Sequence, residues 1–330
     1  MKCFLHRLVN KFIRTNFSIR LAFSIWFYNR FVRHQQKKRL SFRVNNPNNG
    51  KEKEASISDN VRSVDLKPED ALHQQLIVTC YFTIKPDPQS GQVRSSSDFS
   101  FIKPWHESIT QLHIPGIILH NGLDPSFIEQ YENDWVKFRG CTLGNYSIFE
   151  ERWLLYHLIL FELPRLERVF FTDSNDVFVT RNPFAHVEDK LTLFVGRDQA
   201  NRIKDSGWLK EECDKFTAET GYKIPKTYPY QWAYNAGVCG GSVEVMRFFT
   251  SEMAKLILLS KSNFHKDMTL LNLVIHQHFF PKLSSIHWEQ KYVDTTKDGL
   301  ASHTYLVTGF PFNSGFKDFD YASTATFIHK

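Results

Sequence analysis

The chain has 330 residues, 42% hydrophobic and 23% charged, which suits one large or two small folded domains and excludes global disorder. Its net charge of +6 is concentrated in residues 1–40, which carry ten Lys or Arg and no Asp or Glu; the remainder holds 31 basic against 35 acidic side chains, a net of −4 that argues against a nucleic-acid-binding body. The five cysteines (Cys3, Cys80, Cys141, Cys213 and Cys239) include no C-x-x-C pair, so neither a disulfide scaffold nor a zinc site is indicated, although one or two bridges in an oxidising compartment stay open.

In residues 1–33, Phe4, Leu5, Leu8, Val9, Phe12 and Ile13 recur at helical spacing, with Arg7, Lys11 and Arg14 on another face. The apolar stretch from Phe17 to Val32 is interrupted by Arg20 and Arg30, and a spanning helix needs about 20 mostly apolar residues. Residues 1–40 therefore read as a membrane-associating arm: a weak signal-anchor, a helix in the membrane interface or a targeting peptide. Residues 41–75 lack apolar periodicity over most of their length and read as a flexible stem, with the folded body beginning near Leu76.

Within 76–330, LIVTCYF (76–82) and IPGIILHNG (114–122) have the β-branched and aromatic content of strands, with a helix expected over 98–112 between them and a polar loop after the second. This β-α-β order favours a parallel sheet. Ser147 and Glu150 are spaced as a capping box for a helix over 148–161, which Pro164 ends and which leads into a strand at 168–172. LTLFVG (191–196) reads as a further strand, 207–217 as a short helix and WAYNAGVCGGS (232–242) as a glycine-rich turn. Ser242 is the expected N-cap of a helix carrying Val245, Phe249, Met253 and Leu256 on one face, and Asp267 that of a helix over 268–279. His276 and His278, at i and i+2, point in different directions and do not share a metal. P-loop, dinucleotide, zincin, nucleophile-elbow and kinase signatures are missing from the sequence.

The stretch ERVFFTDSNDVFVTRNPF (167–184) places Asp173 and Asp176 directly after an apolar strand. Ligands in open α/β sheets bind beyond the carboxyl ends of strands, and two carboxylates there suit a hard divalent cation. The plainer reading is a solvated turn between strands.

Taken in order, the strand-end acidic pair, the Asn-Ala-Gly segment before Gly-Gly and a helix, and the Asp at a helix start resemble the GT-A class of nucleotide-sugar glycosyltransferases. In that class an Asp-x-Asp binds a divalent metal that grips the donor diphosphate; here the spelling is Asp173-Ser174-Asn175-Asp176, one residue longer. The resemblance spans about residues 76–330. It implies a single GT-A-like domain, a mostly parallel mixed sheet with helices on both faces. It also implies a cofactor, Mn2+ or Mg2+, held by Asp173, Asp176 and His329. Donor-side residues would be Asn145, Arg152, Asp173, Asn235, Gly237, Gly240, Gly241, Lys317 and Lys330, with Asn272 on the acceptor side. Asp267 is the candidate base, against its plain role as a helix N-cap. The implied partners are a nucleotide-diphospho-sugar donor and a carbohydrate or glycoconjugate acceptor, with no nucleic acid, and the basic arm places the protein at an endomembrane, the Golgi. Two other readings stay open: a catalytically silent nucleotide-sugar or carbohydrate-binding protein on the same fold, and a protein whose basic arm binds an acidic surface.

Overall fold

A computed structural model describes residues 22–32, 41–45, 52–56, 62–187, 193–260, 265–279 and 326–329. Lys317, Lys330, Cys3 and most of the aromatic tail lie outside the described residues.

The strands, in chain order, are β1 (Ser41–Asn45), β2 (Glu52–Ser56), β3 (Ser63–Val64), β4 (Gln75–Phe82), β5 (Gly116–Asn121), β6 (Val136–Thr142), β7 (Arg168–Thr172), β8 (Val177–Val179), β9 (Leu193–Arg202), β10 (Trp232–Ser242) and β11 (Phe327–His329). The helices are α1 (Lys103–Leu112), α2 (Pro125–Tyr131), α3 (Ile148–Glu162), α4 (Gly207–Thr220), α5 (Val243–Leu259) and α6 (Asp267–Val274). Seven strands form one sheet in the order β3-β6-β5-β4-β7-β10-β9. The pairs β6/β5, β5/β4 and β4/β7 are parallel, while β3/β6, β7/β10 and β10/β9 are antiparallel. This is the mixed, mostly parallel α/β sheet expected from the sequence.

The alternation along β4 shows why helices cover both faces. Leu76, Val78, Cys80 and Phe82 join one core with Trp153 and Leu155 of α3 and Phe249 of α5; Ile77 and Tyr81 join another with Trp105 and Ile109 of α1 and Phe127 of α2. Chain order runs from β4 outward to β5 and β6, then returns to β7 on the other flank of β4, and the connecting helix changes face at that point. The crevice between the carboxyl ends of β4 and β7 is the topological switch point, where such sheets bind ligands.

Several expectations are corrected. The Gly-rich segment 232–242 is no turn: it is strand β10, with Val238 to Ser242 paired to β7. Gly240 is needed because a Cβ there would overlap Phe170 of the neighbouring strand, so the glycine serves close packing within the sheet. The capping box does not form; the Ser147 hydroxyl donates to Glu150, and Glu151 accepts from the Tyr146 N–H at 2.8 Å. Asp267 does not cap α6 either, because its carboxylate is drawn into a buried ion pair described below. The loop expected after β5 contains α2 and β6, hidden from pattern reading because β6 carries Arg139, 1% exposed and bonded twice to Asp70 at 2.6 and 2.8 Å. Asp70 and Arg62 also tie part of the expected stem to the body: Arg62 is buried against Glu151 at 2.5 Å, and β3 pairs with β6. Farther out, β1 and β2 form an antiparallel ribbon.

The helical segment of the arm lies against α5. Ile25 and Tyr28 are buried, with the Tyr28 ring 6.0 Å from that of Phe248, whereas Phe23, Trp26 and Phe27 are exposed. Among the described residues no helix is long and apolar enough to cross a membrane. The four described cysteines are free thiols.

Candidate active site

The acidic loop is fixed from three sides. Asp173 N–H donates to the Gly237 carbonyl of β10 at 2.8 Å, and the Ser174 hydroxyl donates to the Cys80 carbonyl of β4 at 3.0 Å. At the end of β7, the Trp105 indole N–H donates to the Thr172 hydroxyl at 2.7 Å. Strand β8 then leaves the main sheet and pairs antiparallel with β11, placing His329 opposite Val177 and therefore beside Asp176. The side chains of Asp173, Asp176 and His329 converge, with ligand atoms within 4.8 Å of one another. His329 Nε2 stands 3.8 Å from Asp173 Oδ2 and 3.6 Å from Asp176 Oδ2. A Cβ on Gly237 would overlap the His329 ring, so the glycine makes the imidazole's place available.

This donor set fits a divalent cation. Ligands of an octahedral cation at about 2.1 Å stand roughly 3 Å apart when adjacent and roughly 4.2 Å when opposite, a range that brackets both histidine–carboxylate separations. Asp176 Oδ1 is buried with no hydrogen-bond partner, which leaves a carboxylate oxygen for a ligand. Two carboxylate oxygens and an imidazole nitrogen, with no thiolate, form a donor set for a hard or borderline divalent cation. Burial disfavours the charged imidazolium of His329, yet Asp176 and Asp173 outweigh it and raise the histidine above its ordinary value.

Behind this cluster lies a chain of alternating charge. Arg152, at the start of the second turn of α3, gives one terminal nitrogen to Asp173 Oδ1 and the other to Asp267 Oδ2, the latter at 2.6 Å. Asp267 Oδ1 meets His265 Nε2 at 2.6 Å. Burial alone would raise the Asp267 carboxyl, but Arg152 and His265 hold it well below the usual carboxylate range. His265 is raised because Asp267, followed by Glu212, outweighs its burial.

These groups border a cleft of about 620 Å³ at the switch point. Of the residues picked from sequence, Arg152, Asp173, Asp176, Asn235, Gly237, Asp267 and His329 all line it. Asn235 sits where β10 bulges away from β9, and its side-chain oxygen accepts from the Gly237 N–H at 2.6 Å. The other described ones, Asn145, Gly240, Gly241 and Asn272, do not line the cleft. Asn145 is exposed outside the cleft; Gly240 and Gly241 lie in the β10–β7 ladder; and Asn272 is fully buried, bridging the backbone of Tyr234 at 2.8 Å through both ends of its amide. His276 accepts a structural role, bonded to the Trp232 carbonyl at 2.7 Å, and His278 lies 3.4 Å from Glu252. Sequence reasoning missed His265 and Trp208; the only local signal was an aromatic residue in the first turn of the GWLKEEC helix.

No protein-family model matches the chain, and no curated protein matches its sequence. Among solved structures it is similar to one described as the crystal structure of galactosyltransferase LgtC in complex with donor and acceptor sugar analogs, at 12% identity and a TM-score of 0.42, covering 77% of this chain and 86% of that one. A likeness that slight carries no weight for function, which rests on the residues of the cleft.

Proposed function

We propose that the protein is a metal-dependent glycosyltransferase that moves a sugar from a nucleotide-diphosphate donor to a hydroxyl acceptor. The observation that carries this reading is the convergence of Asp173, Asp176 and His329 at the switch point, with Asp176 Oδ1 buried and unsatisfied. A Mn2+ or Mg2+ ion held there supplies the positive charge that a departing diphosphate needs. Arg152 acts from behind: with both terminal nitrogens engaged, it fixes Asp173 so that Oδ1 is occupied and Oδ2 faces the cluster. Asp267, the base candidate from sequence, has both carboxylate oxygens engaged, one by Arg152 and one by His265, and is better suited to locking Arg152 in place. Lys330 and Lys317 are the proposed phosphate contacts, Lys330 following His329 directly in the chain.

Calorimetric titration of UDP, GDP and their sugars, with and without Mn2+, tests the reading. Metal-dependent nucleotide binding and donor turnover are expected. Absence of metal-dependent binding refutes the enzyme, and binding without turnover favours the silent carbohydrate-binding alternative.

The arm is proposed to hold this enzyme at an endomembrane. The acid-free basic composition of residues 1–40 and the exposed Phe23, Trp26 and Phe27 support an interfacial attachment. Co-sedimentation with phosphatidylserine-containing vesicles, lost on deleting residues 1–40, is the expected result; equal sedimentation of the truncated chain would overturn it.

A further inference from the structure

The two walls of the cleft differ in chemistry. The wall after β4 is charged: Asp87 pairs with Arg94 at 2.5 Å, and the Arg94 guanidinium lies 4.5 Å from the centre of the Phe101 ring. The opposite wall is aromatic and comes from three separate elements. Trp208 stands in the first turn of α4, His265 just before α6, and Phe149 in the first turn of α3. The His265 ring lies between the other two, its centre 4.4 Å from that of Phe149 and 5.0 Å from that of Trp208. Its orientation is set by the 2.6 Å contact with buried Asp267.

Trp208 remains 38% exposed at this position although the helix that carries it is well anchored. Ser206 Oγ accepts from the Leu209 N–H at 3.2 Å, and Leu209 and Phe216 are fully buried. The fold could have turned the indole inward along with Leu209; instead a large amphipathic plate is held open to the cleft. A pyranose presents an apolar C–H face with hydroxyls at its rim, and such a plate with a polar edge is complementary to it. A nucleobase also stacks on aromatic rings. The topology favours one arrangement: in dinucleotide-binding doubly wound sheets the turn after the first strand meets the nucleotide, and here that is the β4–α1 connection carrying Asp87 and Arg94. That assigns the nucleoside to the Asp87–Arg94 wall and leaves Trp208, across the acidic cluster, for the second substrate.

We infer that Trp208, backed by His265 and Phe149, is the plate on which the acceptor saccharide stacks. This rests on the glycosyltransferase reading above. The test uses the full chain with Mn2+ and UDP or GDP. Saturation-transfer NMR and titration are run with methyl β-galactoside, methyl β-glucoside, methyl α-mannoside, lactose and cellobiose on wild type, Trp208→Leu and Trp208→Phe. Leu keeps apolar bulk without the plate, and Phe keeps a smaller plate. At least one saccharide is expected to bind wild type, to bind Trp208→Leu about tenfold or more weakly, by analogy with the loss of an aromatic stacking partner, and to be largely retained by Trp208→Phe, with nucleotide affinity unchanged in both variants. Unchanged saccharide affinity in Trp208→Leu overturns the inference, as does a wild type that binds none of the panel. Loss of nucleotide affinity in Trp208→Leu also overturns it, making the plate a base platform. Failure of the glycosyltransferase reading would show separately, as wild type lacking Mn2+-dependent nucleotide binding.

Discussion

Asp176→Ala should weaken Mn2+ binding by at least about 100-fold, since loss of even an outer-shell partner costs 10–100-fold, and metal-dependent nucleotide binding should disappear with it. Stability should fall less than for the aspartate bound to Arg152, because the carboxylate's one ion-pair contact is with His329 at 3.6 Å and its other oxygen is buried without a hydrogen-bond partner. Asp173→Ala should lose metal as well, but with a second effect. Its removal strips Arg152 of one of two carboxylate partners, leaving Asp267 alone beside a guanidinium on a residue only 8% exposed. Breaking a fully buried pair costs roughly 3–5 kcal/mol; with one partner retained, about 2 kcal/mol is expected. The two aspartates are thereby distinguishable by measuring Mn2+ affinity and urea unfolding on the same samples. Equal stability losses in both variants would contradict the division of labour drawn from the Arg152 contact.

Gly237→Ala is the second large effect, and it requires no change to any ligand. The added methyl would overlap the His329 ring, which is held 3% exposed between β10 and the acidic loop. Either the imidazole leaves the cluster or β11 shifts, so Mn2+ affinity should fall about tenfold, and overpacking should cost about 1–3 kcal/mol. A double-mutant cycle isolates the cause. In a His329→Ala background the ring is absent, and Gly237→Ala should then cost little in stability and nothing further in metal affinity. If the penalty of Gly237→Ala persists in that background, the glycine is required by backbone conformation and not by the histidine.

The structure also explains which parts of the chain were legible. β4, β5, β7, α3 and α5 follow from runs of Val, Ile, Leu and Phe, because burial on both faces of a parallel sheet demands such residues at every position. The acidic pair was legible for a related reason: two carboxylates directly after an apolar strand stand out against it. β6 was not, since its place in the sheet depends on Arg139 being neutralised by Asp70, 69 residues earlier in the chain. Residues 62–72 read as stem for the same reason, as polar partners that are distant in sequence leave no periodic trace.

Glycine was the most misleading signal. Gly237 and Gly240 suggest a turn, but each is required by a neighbour, His329 for one and Phe170 for the other. Sequence by itself determined the α/β class, the strand-end carboxylates and the basic arm, all of which rest on local composition and period. Tertiary structure alone shows how His329, grouped with the aspartates beforehand only by family resemblance, reaches them from 153 residues after Asp176: β11 pairs with β8. It alone decided that Asp267 serves Arg152 and not a helix end, and that Trp208 and His265 form one wall. Each of these is a contact between separate elements, set by how helices and strands pack, and nothing in the spacing of residues along the chain records it.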